Sequence, residues 1–188
     1  MEMIINMQQF AGLKKVIEKE LVNNKILLVS FKSKDYREGL KNLLEFSLNK
    51  YKKSCYVTLN DPHESIVRKL NERQLSKMFF IDCVTCSIKT PKQEENVVFV
   101  SSPRALTEIS IAIKKAIDMG GMESLILDSI SAMLVYEQSL NVMKFVHKQV
   151  LALREANLIC YLIIMREDVS EELMKDLAMF VDKIVEAD

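Results

Sequence analysis

Leu125-Ile126-Leu127-Asp128-Ser129-Ile130-Ser131-Ala132-Met133 passes from an unbroken apolar run to small polar residues in one step. A short continuous apolar run bounded by turn signals, here Ser124 to Leu127, is the pattern of a strand covered on both faces, as in a parallel sheet. The change of polarity delivers Asp128, Ser129 and Ser131 to the carboxyl end of that strand. Upstream, Leu106, Ile109, Ile113 and Ile117 keep helical spacing until Gly120 and Gly121 break it. Downstream, Leu140, Met143, Val146, Val150 and Leu153 form one stripe of a long helix. Asn157 fits a left-handed terminator for it, and Leu158 to Met165 is the next central strand.

The same alternation extends to both ends. Phe10, Leu13, Val16, Ile17 and Leu21 predict an opening amphipathic helix, and Ile26 to Phe31 the first strand. Tyr36, Leu40, Leu43, Leu44 and Leu48 return to a helical period that ends in the basic run Lys50 to Lys53, and Cys55 to Leu59 is the second strand. Asp61 as cap, Pro62 at the first helical position and Glu64 completing a capping box predict a helix start there. Met78 to Cys83 and Val97 to Val100 read as further strands, with Ser102-Pro103 opening the next helix. Ser170 caps a short helix carrying Glu171 and Glu172 in its first turn, and Lys183 to Glu186 is an edge strand. Strand-then-helix alternation calls for an α/β fold: three layers, with a mostly parallel sheet, helices on both faces and right-handed crossovers.

A chain of 188 residues with 49% apolar and 28% charged residues is the size and composition of one globular domain. The expected organisation is a single domain over 1–188, with an N-terminal helix in 1–24 preceding the core sheet. Twenty-six Lys plus Arg balance 26 Asp plus Glu, which removes the net positive field of broad nucleic-acid binding. Lys50-Tyr51-Lys52-Lys53, the only compact basic run, is explained by a solvated helix end, so no nucleic-acid partner is expected. The longest apolar runs fall far short of the roughly 20 residues that span a bilayer, and no membrane association is expected. Met1 to Phe10 lacks the layout of a secretory leader, which makes the cytoplasm the expected location. Four Cys, two of them inside strand-like runs, read as buried reduced thiols.

In an open parallel sheet a ligand lies beyond the carboxyl ends of the strands. Here those ends carry Lys32-Ser33-Lys34-Asp35, Asn60-Asp61, Asp82, Asp128-Ser129 and Arg166-Glu167, one polar rim. The segment Leu125 to Met133 resembles the Mg-site strand of the RecA superfamily, in its KaiC-like P-loop ATPase branch. Tyr56-Val57-Thr58-Leu59, Ile81-Asp82, Arg166-Glu167 and Val181-Asp182-Lys183-Ile184-Val185 match further segments of that branch in order. The resemblance covers roughly Leu13 to Asp188 and implies a RecA-like fold, Mg-ATP chemistry and assembly into rings.

Two catalytic parts that the resemblance implies are altered. The family's glycine-rich loop with Lys and Ser or Thr follows strand one, and its backbone donors wrap the phosphates. Here strand one runs into Phe31-Lys32-Ser33-Lys34-Asp35-Tyr36-Arg37-Glu38-Gly39, with one glycine and neither Gly-Lys-Ser nor Gly-Lys-Thr. Non-glycine residues resist the positive backbone angles of a phosphate nest. The family's strand-two glutamate falls on Asn60 or Asp61; Asn cannot take a proton from water at neutral pH.

Asp128 has two readings. As a Mg ligand it would need phosphate oxygens and a hydroxyl from the altered loop; otherwise Asp128 or Ser129 caps or hydrogen-bonds the turn after the strand. Lys32 and Lys34 could hold an anion, with Ser33 or Asp35 capping the helix, or form a solvated basic loop. Cys83-x-x-Cys86 has the spacing of half a zinc or redox site, and neither His63 nor His147 completes it. Both histidines read as helix-surface or boundary residues, and the eleven Met as core filling.

The expectation is therefore a KaiC/RecA-like domain with a degenerate Walker A loop, no catalytic residues, no metal and no cofactor. It would act as a regulatory or protein-interaction module, partnered with itself in an oligomer or with an intact RecA/KaiC-like ATPase. The alternative is a nucleotide-binding ATPase or sensor that uses Lys32, Ser33 and Lys34 for phosphate, and Asp128 and Ser129 at a Mg-ATP site.

Overall fold

The structure, a computed structural model, describes residues 12–187. The expected opening helix is present over 12–20 (α1); its predicted beginning lies outside the described residues. The remaining elements are β1 (Ile26–Phe31), α2 (Tyr36–Lys50), β2 (Ser54–Thr58), α3 (Glu64–Val67), α4 (Glu72–Leu75), β3 (Met78–Asp82) and β4 (Val97–Phe99). They continue through α5 (Leu106–Asp118), β5 (Ser124–Asp128), α6 (Ile130–Tyr136), α7 (Ser139–Glu155), β6 (Ile159–Met165), α8 (Glu171–Ala178) and β7 (Lys183–Ala187).

All seven strands form one sheet, ordered β4-β3-β2-β5-β6-β1-β7, and every neighbouring pair is parallel. Successive side chains of a strand point to opposite faces, so each apolar run feeds two cores. Ile26 and Leu28 join Val57, Leu125 and Leu127 on the face covered by α5, α6, α7 and α8. Leu27, Val29 and Phe31 join Tyr56 and Ile126 on the face covered by α1, α2 and α3. Helices on both faces of a parallel sheet make the three-layer α/β fold read from the sequence, and two-sided burial is why its strands read as continuous apolar runs. β7 and β4 are the edges, and β7 is the edge strand expected over Lys183 to Glu186.

Several predicted stops are built as expected. Gly120 and Gly121 take φ of 71° and 76°, and Asn157 takes φ 59°. After that left-handed step the Leu158 amide bonds back to the Leu153 carbonyl at 3.0 Å. Ser170 caps α8 through the Leu173 amide at 3.2 Å. Asp182 accepts from the Lys25 and Ile26 amides at 2.9 Å each and from Arg154 at 2.6 Å, fixing the entry to β7 beside the start of β1.

Two predicted starts are corrected. Asp61 caps no helix and Glu64 closes no capping box: α3 is a single turn that opens after His63 without a side-chain cap. The reason lies on another strand, since Asp82 of β3 takes the His63 amide at 2.8 Å and satisfies the donor a cap would have served. Ser102-Pro103 precedes α5 but does not start it; the Glu108 carboxylate reaches back to the Ser101 amide and hydroxyl at 2.9 and 2.8 Å, which orders a turn first. The segment after β5 is two helices, because Glu137 and Gln138 are extended between α6 and α7.

Candidate functional site

The expected crevice lies beyond the carboxyl ends of β1, β2, β5 and β6, where side-chain hydrogen bonds join the strand ends. Asp128 is the last residue of β5 and only 4% exposed. Tyr56 on β2 donates its hydroxyl to Asp128 Oδ2 at 2.5 Å, and Tyr36, the first residue of α2, donates to Oδ1. Asn60 Nδ2 donates to the Tyr36 hydroxyl at 2.9 Å and to Ser129 Oγ at 3.2 Å. The Leu59 amide bonds the Asp128 carbonyl at 2.8 Å, which locks the end of β2 to the same turn. Ser129 caps α6 by accepting from the Ala132 amide at 3.2 Å, and the Asp128–Ser129 peptide bond is cis. Ser131 accepts from the Met165 amide at 2.8 Å and so ties α6 to the end of β6.

Burial dominates the electrostatics. It raises the Asp128 carboxyl to about 6, against the downward pull of the two tyrosine hydrogen bonds. Burial together with the negative charge of Asp128 pushes the Tyr36 and Tyr56 phenols well up, so both remain donors at neutral pH. The result is a carboxylate with a phenolic hydroxyl on each oxygen.

On the β1 side of the crevice, the Ser33 amide and hydroxyl both donate to Glu167 Oε2, at 3.0 and 2.9 Å. These bonds hold the Glu167 carboxyl below the usual range. Among the described residues a positive φ occurs only at Asn157, Gly120 and Gly121, so no residue of the β1–α2 turn is left-handed. Gly39, the one glycine near that turn, sits inside α2, and a side chain there would run into the Phe31 ring. Phe31 is 1% exposed and meets Tyr36 edge-on with ring centroids 6.3 Å apart. Lys34 is exposed and Lys32 half-buried. Asp35 occupies the cap position of α2 without a side-chain cap bond.

Of the residues singled out in the sequence, Asp128 and Ser129 therefore share one network, and Ser33 joins Glu167 across the β1–β6 ends. Tyr36 and Tyr56 were missed as site residues, since in the sequence they read as core positions of a helix and a strand. His63 was also misread. It is 1% exposed, with Nδ1 2.7 Å from Asp82 Oδ2 and Nε2 3.3 Å from Glu94 Oε2. His147 is exposed, stacked on Phe180 at 4.6 Å. Cys55, Cys83 and Cys160 are buried and Cys86 half-buried; burial pushes the Cys55 thiol up to about 12. No group of three or more His, Cys, Asp or Glu side chains is placed to hold a metal ion among the described residues. No helix among them is long and apolar enough to cross a membrane.

Residues 25–187 match the family described as "Family of unknown function (DUF7504)". The chain belongs to this family. No curated protein matches it. A solved structure with a similar fold is a KaiC-like protein from the hyperthermophilic archaeon Pyrococcus horikoshii OT3. It superposes with a TM-score of 0.61 at 10% identity, covering 87% of this chain and 71% of the other. At that identity the likeness establishes the RecA-like fold, which the family member described here builds with its own residues at the crevice.

Proposed function

We propose that this family member is a non-hydrolysing RecA-like domain, its phosphate loop lost, that works as a protein-interaction or regulatory module. The observation that carries the reading is the pairing of Asp128 with Tyr36 and Tyr56. Mg is held through carboxylates together with substrate phosphates, and here each oxygen of the carboxylate faces a hydroxyl donor. A Mg-phosphate group does not fit these residues: Tyr36 would have to leave, and Ser33 is already engaged by Glu167. A turn with no left-handed residue supports the same conclusion, because a nest of converging amides needs such residues.

Exposed apolar side chains on α6 support the interaction half of the reading. Val135 and Tyr136 end α6, the helix that Ser129 caps, and are 76% and 48% exposed. A second copy of the chain or an intact RecA-like ATPase are the partners whose assembly such a domain would regulate. Two measurements test the reading together. Phosphate release from Mg-ATP should stay at the buffer background, and melting should not move across a nucleotide panel. A ligand at about 100 times its dissociation constant would add roughly 2.7 kcal/mol to stability, so a clear upward shift with any nucleotide would overturn the reading.

A further inference from the structure

A second buried polar cluster lies on the other side of β2, away from Asp128. Asp82 Oδ2 accepts from the His63 amide at 2.8 Å, from His63 Nδ1 at 2.7 Å and from Thr85 Oγ1 at 2.7 Å. Its Oδ1 accepts from the Val84 and Thr85 amides, both at 2.8 Å. Five donors converge on one carboxylate, which stays ionised. Nδ1 therefore keeps its proton whatever the charge of the ring, and Nε2 is the atom that titrates. Nε2 faces Glu94 Oε2 at 3.3 Å, on the segment of residues 88–96 that leads into β4.

We propose that His63 is a proton-operated latch: its imidazolium helps hold the 88–96 segment to the sheet through Glu94, and loss of the Nε2 proton to water loosens that segment around Glu94. With the proton present, the ring donates to Asp82 on one side and Glu94 on the other. Without it, a nitrogen lone pair meets a carboxylate, and the attraction becomes a repulsion. The other surroundings do not change with pH in this range. Glu64, next in α3, is held by Lys89 at 2.8 Å and Arg68 at 3.9 Å, so the Lys89 end of the segment stays tied in both states and the stretch around Glu94 is the part that responds. Phe80 and Phe99 wall the ring at centroid distances of 5.7 and 5.5 Å. Cys83 and Cys86, near Asp82, have thiols pushed up by burial and stay neutral.

The direction of the switch follows from the neighbours. Burial works against the imidazolium, but Asp82 and Glu94 outweigh it and raise the pKa above 6.5. A raised basic group contributes its full stabilisation below the unfolded pKa of about 6.5 and loses it as pH rises through the folded value. The latch is closed below the raised His63 pKa and opens as pH rises through it.

The test is carried out on the whole chain with two readouts: an NMR titration of the imidazole protons and amide exchange of residues 88–96 between pH 6 and 9. The chain has two histidines, and His147→Gln assigns the signals. Glu94 is 47% exposed at its side chain, so Glu94→Gln leaves the core untouched. Gln accepts from the imidazolium and, turned over, donates to the bare Nε2, so it latches on both sides of the titration. Glu94→Gln should lower the His63 pKa by about half a unit, a factor of about three in proton affinity. Linkage requires the opening of the 88–96 segment to rise by the same factor, about threefold, as the wild-type ring deprotonates. In Glu94→Gln that step should vanish. An unchanged His63 pKa in the variant, a wild-type segment whose opening is flat across the titration, or a step that persists without Glu94 would each overturn the latch.

Discussion

Tyr36 and Asp128, 92 residues apart in sequence, meet at the mouth of the crevice, where the phenol at the start of α2 donates to the carboxylate at the end of β5. β6 lies between β1 and β5 in the sheet, so this bond crosses an intervening strand. It closes the space between the β1–α2 turn and the only carboxylate at the end of β5. Tyr56 approaches the same carboxylate from β2, and the two tyrosines make Asp128 part of the fold rather than a free ligand.

Removing either hydroxyl should therefore cost stability without creating activity. Tyr56 is 1% exposed, and Tyr56→Phe leaves Asp128 Oδ2 without its donor where water cannot replace it, a loss of about 2 kcal/mol. Tyr36 is half-buried and water can take its place, so Tyr36→Phe should cost about 1 kcal/mol or less. Urea unfolding of the two variants checks the order; equal costs would show that burial does not govern this network.

Asp128 gives the network a pH signature. Its carboxyl is raised to about 6, so between about pH 4 and pH 6 the folded chain binds more protons than the unfolded one, and this group's contribution to stability falls as pH rises. The full span is about 3 kcal/mol. Asp128→Asn keeps one acceptor oxygen for the two tyrosines, places an NH2 donor at the other, and abolishes the titration. The stability difference between Asp128→Asn and wild type should therefore shift in favour of the variant from pH 4 to pH 7. A difference that stays constant over that range would contradict the buried-carboxylate account.

Asp82 should behave in the opposite sense. Burial would raise its carboxyl, but the bonds from His63 and Thr85 outweigh burial and hold it well below the usual carboxylate range. Its contribution is present above about pH 4 and lost as pH falls below that value. Asp82→Ala strands three backbone amides, the Thr85 hydroxyl and the His63 ring together, and should destabilise by about 3–5 kcal/mol. Circular dichroism melts of wild type and variant provide the comparison, and a drop under 1 kcal/mol would contradict the role given to Asp82.

Gly39 is needed for packing rather than for a phosphate loop. A methyl group at this position collides with the buried Phe31 ring, and overpacking of this kind costs about 1–3 kcal/mol. Gly39→Ala should be destabilised by that amount despite the better helix propensity of Ala, and adding Phe31→Leu should recover part of the loss. A Gly39→Ala variant more stable than wild type would show that the ring moves aside freely.

The fold was legible because its signals are local. Ile26–Phe31 and Ser124–Asp128 are buried on both faces and read as apolar runs. Gly120, Gly121 and Asn157 mark turns by the backbone angles they tolerate. The crevice was legible only in outline. The sequence placed Asp128, Ser129, Asn60 and Ser33 at strand ends, but Tyr36 and Tyr56 carry their hydroxyls from core positions, and no spacing rule brings a phenol 92 residues away onto a carboxylate. Asp61 and His63 were misread for the same reason, because Asp82 from another strand satisfies the amide that local capping would have served.

Isothermal titration of Mg-ATP into the wild-type chain addresses the crevice most directly. With Asp128 held by Tyr36 and Tyr56, and Ser33 held by Glu167, the account predicts no heat beyond dilution. A saturable isotherm with one site per chain, lost in Asp128→Asn, would contradict it.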